Sequence, residues 1–118
     1  MNKGPLSSQS IQFAIDIVNY YKWLTSEKKE YVLSKQVLRS GTSIGANIHE
    51  ANYAHGKADF IAKLQIALKE CYETEYWLEL MQKANLLPDD TVKGYLHDCG
   101  SIRRMLIASI NTVKEKQK

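Results

Sequence analysis

A chain of 118 residues and 13.5 kDa has the length of one domain, large enough to bury a single core without disulfide or metal support. Hydrophobic residues make up 44% and charged residues 25%, which argues against intrinsic disorder, and the scarcity of Pro (2) and Gly (6) favours long helices over an all-β fold. The net charge of +3 is too small to be diagnostic of nucleic acid, but it is unevenly placed: residues 91–118 carry six basic and two acidic side chains, whereas residues 57–90 carry four and seven.

The first predicted helix spans about residues 8–26. Ile11, Ala14 or Ile15, Val18 and Tyr21 recur at three- and four-residue steps as its apolar stripe, widened by Phe13, Ile17 and Leu24. A polar joint, Thr25 to Glu30, separates it from a second helix at about 35–53, for which Ser34 is the expected N-cap. Val37, Gly41, Ile44, Ile48 and Ala51 step four, three, four, three along one side of that helix. Gly41 and Gly45 either admit a neighbouring backbone at close range or mark a kink.

Ala54-His55-Gly56 ends the second pattern, and a third helix is expected over about 58–84. Its row of Phe60, Leu64, Ala67, Cys71, Thr74, Leu78 and Met81 is the most regular in the chain. Ala62, Ile66, Trp77, Leu80 and Ala84 form a second apolar row well around the same helix. A monomeric bundle needs only one such row. Ile66, Trp77 and Leu80 are therefore expected at an interface between copies, or else Trp77 caps the end of the bundle. Leu86 to Thr91 form a turn with a cap-like Asp or Thr. A fourth helix over about 91–115 then carries Val92, Tyr95, Cys99, Ile102, Leu106, Ile110 and Val113. Short joints between long helices give one all-α domain over 1–118, an antiparallel up-down four-helix bundle.

Chemistry-bearing motifs are sparse. His49-Glu50 begins a His-Glu-x-x-His zinc pattern, but position 53 is Tyr and His55 lies on another side of the helix. Gly41-Thr42-Ser43-Ile44-Gly45 lacks the following Lys-Ser or Lys-Thr and the preceding strand of a phosphate loop. Neither Glu70 nor Glu73 has the histidine three residues on that bundle metal sites use. No catalytic residue, metal site or cofactor is expected, and the chain reads as a non-enzyme. Cys71 and Cys99 sit at core spacing as small hydrophobes. Met1 to Ser10 lacks the apolar segment of a signal peptide, and no apolar run suffices for a membrane span, so a cytoplasmic protein without membrane contact is expected.

Two polar sets remain. Arg39, Ser43, Asn47 and Glu50 line one flank of the second helix, within reach of Glu70 and Glu73 on the third. They form either a hydrogen-bond network that fixes register or a recognition face. Lys93, Arg103, Arg104, Lys114 and Lys116 make the last helix the expected phosphate-facing surface, or alternatively a solvated, frayed end.

The run Gln36-Val37-Leu38-Arg39-Ser40-Gly41-Thr42-Ser43-Ile44-Gly45-Ala46-Asn47-Ile48-His49-Glu50-Ala51 resembles the signature of a bacterial family, the proteins encoded in intervening sequences of 23S rRNA genes. Asp59-Phe60, Ile66-Ala67-Leu68-Lys69-Glu70 and Glu73-Thr74-Glu75-Tyr76-Trp77-Leu78 extend the resemblance, which covers about residues 11–110. The chain departs at His49, where the family more often has Ala, and at Ala51, where Gly is common. The resemblance implies a four-helix bundle that assembles into a homopentamer. It also implies distant kinship with the accessory proteins of diversity-generating retroelements, which bind nucleic acid and a reverse transcriptase. Structured RNA or DNA is the expected ligand, and a protein-interaction scaffold with no nucleic-acid role is the alternative.

Overall fold

The computed structural model describes residues 4–116. Four α-helices follow in order: α1 (Gly4–Ser26), α2 (Leu33–Ala51), α3 (Lys57–Lys83) and α4 (Asp89–Lys116). They form the all-α, antiparallel up-down bundle that the periodicities specify, 49 Å long and about 21–22 Å across. Consecutive helices are neighbours and α4 closes back on α1. The diagonal pair α1 and α3 touches through side chains in the core, where the Tyr20 hydroxyl donates to Met81 Sδ at 3.2 Å.

The helix ends have local causes. α1 reaches back to Gly4, four residues before the expected start, because Pro5 falls in the first turn, where its missing N–H leaves no bond unmade. Ser34 is not the N-cap of α2. The helix starts two residues earlier, at Leu33, and the Glu30 carboxylate takes the capping role by accepting the backbone N–H groups of Val32, Leu33 and Ser34 at 3.2, 3.0 and 2.7 Å. Ser34 is buried instead, its hydroxyl donating to the Glu30 carbonyl at 2.8 Å. Burial works against charge on Glu30, but these donors outweigh it and hold the carboxyl below its ordinary pKa. α3 stops where Asn85 takes a left-handed conformation (φ 61°), so that Asn85 N–H reaches Gln82 O and Leu86 N–H reaches Met81 O. Those two bonds are the Schellman arrangement, and Asn tolerates the left-handed position better than most residues.

The core is a column of side chains from all four helices, including Ile17, Leu24, Val37, Ile44, Leu64, Leu78, Ile102 and Leu106. Burying one such side chain is worth about 1.5–3 kcal/mol. The α2 row is buried throughout, and the α3 row from Leu64 to Met81 is buried as well. At the start of α3, Ile61 enters the core and Phe60 is only half-buried. Tyr95 and Val113 likewise pack at the edge of the column on α4. α2 is one continuous helix through both glycines. A Cβ at Gly41 would lie 3.0 Å from Ile17 Cγ2, and one at Gly45 would lie 3.4 Å from the Ser10 carbonyl oxygen. The glycines thus serve close approach of α1, not a bend.

α1 is rotated toward one edge of its expected stripe: the widening residues Phe13, Ile17 and Leu24 are buried, and the main row of isoleucines is not. Ser10, Phe13, Ile17, Tyr20 and Leu24 face the core, whereas Ile11 is 63% and Ile15 48% exposed. Both rows have helical spacing, and at about 100° per residue they lie on opposite sides of α1. The row containing the bulkier Phe13, Tyr20 and Leu24 fills the column, which leaves the isoleucine row outside.

Cys71 and Cys99 are free, fully buried thiols on facing helices, and Cys99 Sγ donates to the Cys71 carbonyl at 3.5 Å. Hydrogen bonding to the Cys71 side chain and burial push the Cys99 thiol well above its ordinary pKa.

Candidate functional site

The polar flank of α2 is a seam to α3. Arg39 spans it: Nη1 donates to Glu70 Oε2 at 3.1 Å, and Nη2 is bonded to Glu73 Oε2. Trp77 Nε1 donates to the same Glu73 oxygen at 3.1 Å, so the guanidinium and the indole share one carboxylate. The Glu70 side chain is only 8% exposed while Arg39 is half exposed, so the cation covers the buried acid from the solvent side. Beneath them, Thr74 Oγ1 donates to Ser40 Oγ at 2.9 Å, with both residues fully buried.

The expected six-residue network therefore divides. Arg39, Glu70 and Glu73 meet. Glu50 instead pairs with Lys63 at 3.2 Å. Ser43 Oγ donates back to the Arg39 carbonyl at 2.6 Å and Asn47 Nδ2 to the Ser43 carbonyl at 2.9 Å, so neither side chain bridges the helices. Four residues apart on a helix, such groups find a carbonyl of their own turn before a partner elsewhere. The Ser40–Thr74 bond was missed because Thr74 fits the apolar row by spacing alone. A hydroxyl opposite a serine on the neighbouring seam was the available signal.

The basic residues of α4 also separate. At about 100° per residue, Lys93, Arg104 and Lys114 fall within about 80° of arc on its outer side, and all three are exposed. Arg103 lies at the edge of that arc and turns to α3, its Nε donating to Glu75 Oε1 at 3.0 Å and its guanidinium 5.8 Å from the centre of the Tyr72 ring. Lys116 points elsewhere, bordering the α2–α3 joint beside Ala54, Gly56 and Phe60. One continuous strip of five cations is not present, because Arg103 is paired with Glu75 and residue 116 sits at another angle of the helix.

The apolar row assigned to an interface is partly exposed: Ile66 is 39% accessible, and Trp77 and Leu80 are half-buried. A groove of about 670 Å³ runs between α1 and α2, lined by residues that include Ile11, Ala14, Thr42, Gly45, Ala46 and His49. Among the described residues, no group of three or more His, Cys, Asp or Glu side chains is placed to hold a metal ion, and no helix is long and apolar enough to cross a membrane.

A helical bundle braced by a charged seam, with cations on the outer flank of its last helix, is the class that fold and site define. The chain belongs to the 23S rRNA-intervening sequence protein family, whose pattern matches residues 6–108. It is also similar to a crystal structure from Bacteroides thetaiotaomicron, described as a protein with unknown function from the S23 ribosomal protein family. The two are 51% identical with a TM-score of 0.89, covering 90% of this chain and 98% of that one. No curated protein matched the chain.

Proposed function

We propose that the protein is a non-enzymatic helical bundle that works as an assembly of its own copies and binds RNA or DNA through the outer side of α4. The observation that carries the nucleic-acid reading is the exposure of Lys93, Arg104 and Lys114 on one side of α4 without a carboxylate partner among the described residues. Such cations bind phosphate mainly as charge and replace its counterions, which gives affinity without base selectivity.

Self-association is supported by the two outward apolar rows, Ile11 and Ile15 on α1 and Ile66, Trp77 and Leu80 on α3. Because α1 and α3 occupy opposite corners of the bundle, contact of one row with the other joins copies head to tail. A closed ring of five is the assembly that the sequence resemblance implies.

Titration against 23S rRNA fragments at two salt concentrations tests the first reading: binding at low salt that weakens steeply at high salt is expected, and no binding at low salt removes it. Light scattering tests the second, and a lone 13.5 kDa particle at micromolar concentration removes the assembly. The Ile11→Lys, Ile15→Lys double variant is expected to remain folded and to shrink the particle. The α1–α2 groove and the exposed Ile11 on its wall favour a second reading, a scaffold for a protein partner such as a reverse transcriptase. Retention of a partner after nuclease treatment during purification distinguishes it.

A further inference from the structure

Two tyrosines stand on the outward side of α3: Tyr72 is 54% exposed and Tyr76 59%. Four residues apart, they rise from adjacent turns with Cβ atoms about 5–6 Å from each other. Tyr76 meets Trp77 edge-on, with ring centres 5.1 Å apart and planes at 73°. Next to Tyr72, across the α3–α4 boundary, lies the Arg103 guanidinium, held by Glu75. Arg104 ends beside it. A Cβ on Gly100 would come within 3.2 Å of Arg104 Nη1 and 3.4 Å of Arg103 Nη2, so the bare backbone at this point lets both guanidinium groups settle together on α4.

The charge on this surface is not what the sequence of α3 suggests. Glu73 is bonded to Arg39 and Trp77, and Glu75 to Arg103. Among the described residues, the charges left on this surface without an ion-pair partner are Lys69, Lys83 and Arg104 against Glu79, so the rings stand in a cationic field. Exposed aromatic rings at one-turn spacing, beside guanidinium groups, are what an unpaired nucleic-acid strand requires: faces for its bases and cations for its backbone. A duplex hides its base faces and has no use for the rings.

We propose that Tyr72 and Tyr76 stack neighbouring bases of a single-stranded RNA or DNA while Lys69 and Arg104 hold its phosphates. This rests on the nucleic-acid reading above and names the strand form that the surface takes. Tyr72 lies about 80–140° around α3 from Ile66, Trp77 and Leu80, so an assembly through that row leaves its ring accessible, while Tyr76, which touches Trp77, stands at the border of the row.

The test is fluorescence anisotropy with a labelled oligouridylate and a blunt RNA duplex of the same length. The Tyr72→Ala, Tyr76→Ala double variant is expected to weaken oligouridylate binding by at least about fivefold per ring removed, from the usual worth of one base–aromatic stack. Duplex binding should stay as it was, and the double Phe variant should retain both. Preference for the duplex, or an alanine variant that holds oligouridylate as well as the parent, overturns the platform and leaves phosphate binding by α4 standing. Failure of both nucleic acids to bind at low salt overturns both readings. A second readout does not depend on how the alanine variant folds. In Trp23→Phe protein, oligouridylate is expected to quench Trp77, which touches Tyr76, and unchanged emission on saturation with oligouridylate overturns the proposal.

Discussion

The α2–α3 seam and the α1–α4 seam are built from the same kind of helices and held in different ways. Between α2 and α3, a buried hydroxyl pair, Ser40 and Thr74, lies under the Arg39, Glu70 and Glu73 cluster, and continuous apolar rows flank both. Between α1 and α4, a partly exposed bond from Ser101 Oγ to Gln9 Oε1 at 3.3 Å and the tilted Tyr20–Tyr95 ring pair are the specific contacts. An opening of about 180 Å³ beside Asp16 and Asp98 interrupts the packing there. Register is fixed where polar groups must find one partner out of reach of water, and loosely held where water can replace either partner.

Substitutions can break or sharpen that contrast. Leu78→Ala empties a fully buried position on α3 and is expected to cost about 2–5 kcal/mol in denaturant unfolding. Thr74→Val keeps the shape but deprives Ser40 of its buried partner, for about 1–3 kcal/mol by the same measurement. A change within error would show that the hydroxyl pair contributes nothing to the seam. Glu30→Ala strips the start of α2 of its cap and is expected to cost about 0.5–2 kcal/mol. Because the folded carboxyl has the lower pKa, the unfolded chain takes up this proton first as the pH falls. The Glu30 contribution is therefore complete above about pH 4.3 and is lost as the pH drops through the folded value, so parent and variant should converge in acid. Ser101→Ala, on the loose seam, should stay within about 0.5 kcal/mol of the parent. A cost comparable to that of Thr74→Val would abolish the distinction between the two sides.

The four helices were legible because each carries a three-four apolar repeat, and α3 most of all because its row runs from Leu64 to Met81 without interruption. α1 was legible as a helix but not in its rotation. It carries apolar residues on both sides, and the volume left by the other three helices decides which side goes in. The ion pairing of Arg39 with Glu70 and Glu73 could be read as complementary charge on neighbouring helices. The return of Ser43 and Asn47 to their own carbonyls could not, because spacing alone does not separate a bridge from a local bond. Glu30 escaped notice since it lies in a polar joint that lacks periodicity. The meeting of Tyr72 with Arg103 depends on how α4 is turned against α3, which no spacing within either helix records.

The facing thiols of Cys71 and Cys99 give this bundle an internal clock. Sealed from solvent, they are invisible to an alkylating reagent until α3 and α4 part. The rate at which they become labelled then counts those partings directly, with no probe to be introduced.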